Sequence, residues 1–346
     1  MRRADRSGRR RQLLRAVGAL AGAVAAGGPS GPLAPAAAAT ATPASDGERP
    51  FSFGFIGDTP YHWFDELALR RVLEAMGDEP LDFVLHAGDI KSSGEPCSDA
   101  LLADRLALLD RCPHPLILTP GDNDWTDCAP ALRPDADGGA LERLDWLRRQ
   151  VYAAPLSLGV RRMAVEQQIG GLPENLRWRI GSLLFCTLHV VGSNNGASRA
   201  PALRRAWSLR QQANAHWLTQ TVELAQRQQA RGLVLAMHAN MRFERDRADG
   251  WEMMRQLVIA AASAFKGPVL LLHGDTHRFR SDRLLLQSHG LANLHRVECF
   301  GSPFSASWVS IRWNPAAATP AGPQDSATIA AGAPGGPFEV STRTVG

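Results

Sequence analysis

The sequence predicts an α/β fold built as a layered sandwich, because strand-like and helix-like segments alternate and a run of short strands follows them. The predicted strands cover residues 51–57, 82–87, 115–119, 183–191, 232–237 and 268–272, with shorter ones at 283–287, 296–300 and 308–313. The predicted helices cover residues 65–76, 99–109, 140–150, 208–229 and 250–265. Strands separated by helices need crossover connections, which indicate a parallel core sheet, while the later strands indicate mixed or antiparallel additions.

The two ends of the 346-residue chain differ in composition from its middle. Residues 51–313 are rich in apolar side chains and are numerous enough for one large domain. Residues 314–346 consist largely of Ala, Pro and Gly in their first two thirds, so we expect a low-complexity tail without a core of its own. Residues 42–50 are interpreted as a linker that follows an export signal at 1–41.

The export signal is predicted from the order of its parts. A basic segment precedes an apolar stretch, 16–26, that is too short to span a bilayer, and Ala39-Thr40-Ala41 fits a small-residue cleavage site. Arg10 and Arg11, followed by a spacer and an apolar pair, resemble a twin-arginine signal. The alternative is a disordered basic tail. We expect a soluble periplasmic or secreted product that keeps no membrane anchor.

The formal net charge of +4 gives no indication of a nucleic-acid partner. Seven Arg and one Asp give residues 1–41 a net charge of +6, so removing that segment leaves the rest of the chain at −2. A slightly acidic mature protein has no electrostatic footprint for nucleic acid. The oligomeric state is not predicted by the sequence.

Five predicted strands end beside Asp or His, in most cases next to a Gly. These strand ends are Gly57-Asp58, Gly88-Asp89, Gly121-Asp122, His238 and Gly274-Asp275-Thr276-His277. A single Gly-Asp is more often a turn than a ligand, but the carboxyl ends of parallel strands share one crevice. Carboxylates brought together there repel one another unless cations lie between them. The pattern therefore predicts a metal centre.

The order of these motifs resembles that of the calcineurin-like metallophosphoesterases. That family carries Asp-x-His, Gly-Asp, Gly-Asn-His-Asp/Glu, a lone His and Gly-His-x-His on successive strands, and the resemblance covers residues 53–277. It implies a four-layer αββα sandwich with mixed sheets and helices on both outer faces. It also implies two divalent metal ions, bridged by a carboxylate and by a hydroxide that attacks phosphorus. The implied function is metal-dependent hydrolysis of a small phosphorylated substrate: a phosphomonoester, a phosphodiester or a nucleotide.

The resemblance assigns the metal ligands residue by residue. They are Asp58 and His277 at the first ion, Asp89 as the bridge, Asp122 and His238 at the second ion, and Asp275 in place of the first His of the last motif. Because carboxylates are hard ligands, we expect Mn²⁺ or Fe, while Mg²⁺, Ca²⁺ and Zn²⁺ remain compatible. Shifting the alignment by one residue would make Asn123 the ligand in place of Asp122.

Two histidines of the family pattern are missing. The first motif has Pro60 at the His position, and His62, two residues further on, is a candidate to replace it, although a His at a helix start is the alternative. The third motif has Asn123 where the family has a His linked to leaving-group protonation, and Asp124 where it has the acidic partner. An amide cannot supply a proton near neutral pH. We therefore name Asn123, Asp124 and His62 as candidate catalytic residues. A degenerate, non-catalytic protein that binds a phosphate-containing ligand is the alternative function.

Three more side chains follow the motifs closely. Trp125 is a candidate for the substrate lining, and Arg242 and Arg278 are candidates for a phosphate clamp, with a core Trp and ordinary surface charge as the alternatives.

The five cysteines fit an oxidising compartment, and no Cys/His spacing predicts a thiolate zinc site. Cys97 lies eight residues after Asp89 and Cys128 six after Asp122, so both are on loops that leave neighbouring strands. We predict a Cys97–Cys128 disulfide across these loops, with Cys112 as the main competing partner.

Overall fold

The computed structural model describes residues 48–128, 139–198, 200–245, 248–318 and 335–346; the predicted export signal and most of the predicted linker lie outside these ranges. The strands are β1 Phe51–Ile56, β2 Leu81–His86, β3 Leu116–Leu118, β4 Glu166–Gln167, β5 Leu176–Ile180, β6 Leu183–Thr187, β7 Gly232–Ala236, β8 Val269–His273, β9 Arg280–Asp282, β10 Leu294–Glu298, β11 Ser307–Trp313 and β12 Phe338–Thr344. The helices are α1 Trp63–Gly77, α2 Asp99–Leu109, α3 Ala140–Val151, α4 Pro201–Arg227, α5 Glu252–Ala264 and α6 Leu286–His289, with 3₁₀ turns at Thr126–Cys128 and Pro315–Ala317.

The strands form two sheets. The first has the order β12-β11-β1-β2-β3, in which β1, β2 and β3 are parallel and the β11 and β12 pairings are antiparallel. The second has the order β4-β5-β6-β7-β8-β10-β9, in which β6, β7, β8 and β10 are parallel. The mixed sheets agree with the sequence-based expectation of a parallel core with antiparallel additions.

Aromatic side chains fill the space between the two sheets. Phe53 and Phe83 of the first sheet stack at 4.9 Å, and both meet the ring of Phe185 from the second sheet edge-on, at 5.5 and 5.1 Å. Trp178 stacks on Phe185 at 5.0 Å. Each such ring buried from water contributes about 1.5–3 kcal/mol, so this layer is the main apolar core between the sheets.

Helices cover the outer face of each sheet. On the first sheet, the side chain of Met76 from α1 lies over Gly54 of β1, where an added Cβ would approach Met76 Cε to 3.1 Å. On the second sheet, a separate apolar cluster joins β6, β7 and β8 to α4 and α5. The four-layer αββα sandwich is confirmed. No helix within the described ranges is both long enough and apolar enough to span a bilayer.

The structure corrects two sequence-based expectations. The segment 314–346, expected to be a tail without a core, contributes β12, which pairs with all seven residues of β11. Phe338 is buried and its ring lies 5.0 Å from that of Trp313, because the last residues again carry large and β-branched side chains. The strand expected at 283–287 is also wrong: β9 ends at Asp282 and the short helix α6 follows.

Candidate metal centre

The carboxyl ends of strands from both sheets bring the predicted ligands together. Asp58 follows β1 and Asp89 follows β2, and both lie on left-handed backbone, with φ of 53° and 57°. His238 follows β7, while Asp275 and His277 follow β8, also with positive φ at 81° and 62°. The turn at the end of each strand therefore redirects the next side chain into one shared crevice.

Two groups of ligand atoms form there, each within 4.8 Å: Asp58, Asp89 and His238 in one, and Asp122, His238 and Asp275 in the other. His238 Nε2 lies 2.8 Å from Asp122 Oδ1 and 3.5 Å from Asp89 Oδ2. The Nδ1 of His238 is 2.9 Å from the carbonyl oxygen of Ala87, which can only accept, so Nδ1 carries a proton and donates it. That bond fixes the ring and leaves Nε2 directed at the carboxylates.

Two buried atoms of this cluster, His238 Nε2 and Asp122 Oδ1, face each other at 2.8 Å. Because Nδ1 already carries a proton, a neutral His238 presents only a lone pair at Nε2, and two acceptors this close repel unless a proton or a cation binds them. A cation coordinated by both atoms would satisfy them. The donor set therefore fits a metal ion.

The electrostatics of the cluster lead to the same conclusion. Burial raises the pKa of Asp58 to about 6, although His238 and His277 lower it. Burial also raises the pKa of Asp89 well above its usual value, and the pKa of Asp275 is raised for the same reason. Without a counter-charge these carboxyls resist ionisation together, whereas divalent cations would favour the carboxylate forms.

The first-ion half holds a residue that the sequence interpretation missed. The Tyr61 hydroxyl lies 3.1 Å from Asp89 Oδ2 and 3.3 Å from His277 Nε2, and it accepts a hydrogen bond from Asn123 Nδ2 at 3.2 Å. Tyr61 directly follows Pro60, which occupies the position of the missing His. The sequence did contain one indication of this role, because the Tyr side chain directly after Pro60 is long enough to reach the crevice.

His62, proposed from the sequence as a replacement for the missing His, is not in the crevice. It precedes the first residue of α1, is exposed, and its ring packs at 5.2 Å against that of Phe64. Consecutive side chains at the start of a helix point in different directions, so Tyr61 turns inward while His62 turns to solvent. The helix-start alternative is the one that the structure shows.

The third motif separates into three distinct roles. Asp122 belongs to the second ligand group, while the side-chain amide of Asn123 donates to the Tyr61 hydroxyl at 3.2 Å. The backbone N–H of Asn123 donates to Asp89 Oδ1 at 2.9 Å. Asp124 is fully buried and accepts backbone N–H bonds from Gly121, Asp89 and Ile90 at 2.8–3.1 Å. Asp124 therefore ties the second and third motif loops together and makes no contact with open solvent.

A left-handed turn at Gly192–Asn195 closes the second-ion half. Ser193 Oγ is 2.6 Å from Asp122 Oδ2 and 3.1 Å from Asp127 Oδ1, and Ser193, Asn194 and Asn195 all have φ between 46° and 57°. A Cβ added to Gly192 would lie 2.4 Å from Asp122 Oδ1. The turn therefore lines the second-ion half of the crevice.

The sequence matches the calcineurin-like phosphoesterase family over residues 51–279. The chain belongs to this family. The match covers every ligand described above, and the family uses two divalent metal ions in a phosphoesterase reaction, so the chain is a metal-dependent phosphoesterase.

Three solved structures are similar to this chain. A dimetal phosphatase from Danio rerio has 13% identity and a TM-score of 0.44, covering 75% of this chain and 92% of its own. GAP50, the anchor in the inner membrane complex of Plasmodium, has 9% identity and a TM-score of 0.46 over 77% and 82%. The purple acid phosphatase PPD1 from yellow lupin seeds has 11% identity and a TM-score of 0.44 over 80% and 53%. A comparison with curated protein sequences finds no match.

A disulfide links two loops of the phosphoesterase site. Cys97 and Cys128 are bonded, with their Cα atoms 5.8 Å apart, while Cys112 is a buried free thiol. The predicted pairing is confirmed. The bond joins the loop that follows Asp89 to the 3₁₀ turn that follows Asp122.

The other side chains near the motifs have separate environments. Trp125 is buried between the guanidinium of Arg210, at 5.0 Å, and the ring of His189, at 5.4 Å, so it does not line the crevice. Arg242 is exposed, and its backbone N–H donates to Asn240 Oδ1, while the Asn240 N–H donates to Asp275 Oδ2, so Arg242 lies beside the second ligand group. Arg278 is exposed, and no contact with the ligand groups is seen for it.

Proposed function

We propose that this phosphoesterase hydrolyses a phosphoric ester that has a good leaving group. Asp58 and His277 would hold the first ion, Asp122, His238 and Asp275 the second, and Asp89 both. The observation that carries this assignment is the buried contact of His238 Nε2 with Asp122 Oδ1 at 2.8 Å within a cluster of carboxylates. When bound, the two cations supply Lewis acidity and lower the pKa of a coordinated water.

The charge of the ligand set supports two divalent cations. Four carboxylates, those of Asp58, Asp89, Asp122 and Asp275, would balance two ions of charge +2. Oxygen outnumbers imidazole nitrogen in this set, and hard oxygen ligands favour Mn²⁺ or Fe over Zn²⁺. This preference supports the metal identity expected from the sequence.

Asp89 is held by hydrogen bonds to each of its oxygens. Its Oδ1 accepts from the Asn123 backbone N–H and its Oδ2 from the Tyr61 hydroxyl. The Asn123 amide in turn donates to the Tyr61 oxygen. Asn123, Tyr61 and Asp89 therefore form a chain of donors and acceptors that fixes the shared carboxylate.

The leaving group receives little acid assistance from this site. The Asn123 amide can donate a hydrogen bond but cannot supply a proton near neutral pH, and Asp124 is occupied by three backbone N–H groups. His62 points to solvent. Esters whose alcohol is itself a stable anion need no acid, so this arrangement favours aryl esters, phosphodiesters with good leaving groups and phosphoanhydrides.

Metal analysis combined with turnover tests the proposal. Full-length protein purified without chelator is expected to contain two divalent ions per chain and to hydrolyse an aryl phosphate, with loss of activity on chelation and recovery on adding Mn²⁺. One ion or none, together with no turnover of either a monoester or a diester, would support the non-catalytic binding protein instead.

We also propose that the chain is exported. The Cys97–Cys128 bond supports this location, because disulfides persist in oxidising compartments. Fractionation of cells that produce the full chain, followed by N-terminal sequencing, is expected to find a mature protein outside the cytoplasm that starts near residue 42. A full-length chain confined to the cytoplasm would contradict it.

A further inference from the structure

The exposed aromatic side chains are concentrated on two loops. Within the described ranges, the exposed Trp, Phe and Tyr side chains are Trp63 and Phe64 at the start of α1 and Phe304 before β11, with Trp63 76% and Phe304 55% exposed. Scattered exposed apolar residues are ordinary, but exposed aromatics gathered in two neighbouring loops indicate a binding surface. We name these three side chains the aromatic rim.

The first rim loop leads directly out of the metal centre. Tyr61, whose hydroxyl contacts Asp89 and His277, lies only two residues before Trp63. The backbone N–H of Tyr61 donates to Asp65 Oδ2 at 3.1 Å, which fixes the turn between the crevice and α1. Leu67, four residues after Trp63, is also exposed, so the same helix face continues the apolar surface.

The second rim loop contacts the first-ion half as well. The Ser302 N–H donates to the Asp58 carbonyl at 2.9 Å, and the Ser302 carbonyl lies 2.7 Å from His277 Nδ1. Phe304 follows two residues later. Ser305 Oγ donates to Asp65 Oδ1 at 2.7 Å, and Asp65 is buried, so one carboxylate holds both rim loops.

The opposite side of the crevice is polar where the structure describes it. There the exposed groups are Ser193, Asn194 and Arg242, all polar or charged. A phosphoryl group at the ligand cluster would have its ester substituent directed to one of these two sides. An apolar substituent gains from contact with aromatic rings and loses nothing by leaving polar groups hydrated.

We infer that the aromatic rim binds the alcohol part of the substrate, and that this part is aromatic or otherwise apolar. The inference rests on the proposed function, because it assumes that the phosphoryl group lies at the ligand cluster. It narrows the substrate class to phosphoesters of apolar, ring-containing alcohols. Small hydrophilic esters would gain less from contact with Trp63 and Phe304, because they bury less apolar surface there.

The test compares two non-hydrolysable phosphonates, which removes leaving-group chemistry from the comparison. Binding of phenylphosphonate and of methylphosphonate to Mn²⁺-loaded full-length protein is measured by calorimetry. We expect phenylphosphonate to bind about tenfold more tightly, as contact of one ring with an apolar surface provides. The double variant Trp63→Ser, Phe304→Ser should reduce this ratio to about two or less while methylphosphonate affinity is unchanged.

Ile169→Ser is the matched control, because Ile169 is 97% exposed and lies on the loop before β5, away from the rim loops. It should leave the ratio unchanged. The single variant Phe64→Ser provides a second reading if the double variant folds poorly, and it should reduce the ratio in part. A ratio near one in the unaltered protein, or a ratio kept by the double variant, would overturn the inference.

The outcome is separable from that of the proposed function. If the protein hydrolyses phosphoesters but binds phenylphosphonate and methylphosphonate equally, the inference about the rim is wrong and the proposed function stands. If phenylphosphonate binds tenfold more tightly but no ester is hydrolysed, the rim binds the ring and the proposed hydrolysis is wrong. If the double variant instead changes the sedimentation coefficient and leaves the ratio unchanged, the rim is a self-association surface and the inference is wrong.

Discussion

The two halves of the metal centre are built differently. In the second-ion half, the His238 side chain is fully buried and lies 2.8 Å from Asp122. The Gly192–Asn195 turn packs against the carboxylates of Asp122 and Asp275. In the first-ion half, His277 is 28% exposed and lies 3.5 Å from Asp58. The buried half has the rigidity of a fixed ion site, whereas the open half borders the aromatic rim and solvent. We infer that the second ion is retained and the first exchanges more readily.

The largest expected effect comes from the residue shared by both halves. Asp89→Asn should lower the rate of ester hydrolysis by about 10³-fold or more and reduce the content of both ions, because a neutral amide cannot bind two cations as a carboxylate does. Rate assays and elemental analysis of the same preparation measure this. Full metal content together with the full rate would show that Asp89 does not bridge the two ions.

Gly192→Ala should act on the second-ion half alone. The added Cβ would lie 2.4 Å from Asp122 Oδ1 and 2.7 Å from Asp275 Oδ1, so both ligands must move. We expect a loss of one ion per chain and a fall in rate of about 10- to 100-fold. Gly94→Ala is the matched control, since the nearest atom to its Cβ would be 3.7 Å away. Equal behaviour of the two variants would contradict the contact.

Tyr61→Phe should act on the first-ion half. It removes the hydroxyl that donates to Asp89 and accepts from Asn123, while the buried ring remains. We expect kcat to fall about tenfold and the more exchangeable ion to be lost at lower chelator concentration. Competition with a chelator, followed by elemental analysis, measures the second effect. Unchanged retention of both ions would mean that Tyr61 supports neither half.

Asn123→His tests the missing acid between the halves. In the unaltered protein, rates should fall steeply as the leaving-group pKa rises across a series of aryl phosphates, and the His variant should flatten that dependence. A flat series in the unaltered protein would mean that another group supplies the proton. The groups to test are His62, whose ring packs against Phe64, and Tyr61, whose hydroxyl contacts Asp89.

The smallest effect on the rate is expected from the disulfide. Cys97→Ser with Cys128→Ser opens a loop of 31 residues and should lower the free energy of unfolding by about 2–4 kcal/mol. The fully metal-loaded variant should keep nearly its full rate but release metal faster, because the loops after Asp89 and Asp122 are no longer joined. Denaturant unfolding and timed metal release measure the two effects. Cys112→Ser is the control, since Cys112 is unbonded.

Much of the site could be predicted because its signal is local. Each ligand follows a short apolar strand, and parallel strands place such residues at one edge of the sheet. Tyr61 and Gly192 could not be predicted in the same way, since their roles depend on contacts with Asp89 and Asp122 that no local pattern records. His62 was a candidate because it is the His nearest to the missing position in the sequence, and the structure places it, exposed, at the start of α1, as the helix-start alternative expects.

The fold shows the same division between local and tertiary information. The parallel strands and the long helices follow from hydrophobic patterning. Strand β12 was missed because an Ala-, Pro- and Gly-rich stretch precedes it and the whole end of the chain was interpreted by that composition. Residues 338–344 contain Phe, Val and two Thr, which are strand-forming residues. The strand pattern was therefore present, but its seven residues were too few to change the composition of the whole segment.

Strand β12 has a practical consequence for anyone who shortens this chain. Strand β11 pairs with β12 on one side and with β1 on the other. Removing the residues after 334 would therefore leave β11 as an open edge with unpaired backbone N–H and C=O groups. Trp313 would also lose its contact with Phe338. A recombinant protein that stops at residue 279, the end of the family match, would lack β11 as well and would leave β1 as the open edge of the first sheet. Affinity tags for purification are better placed after Gly346 than in exchange for the last strand.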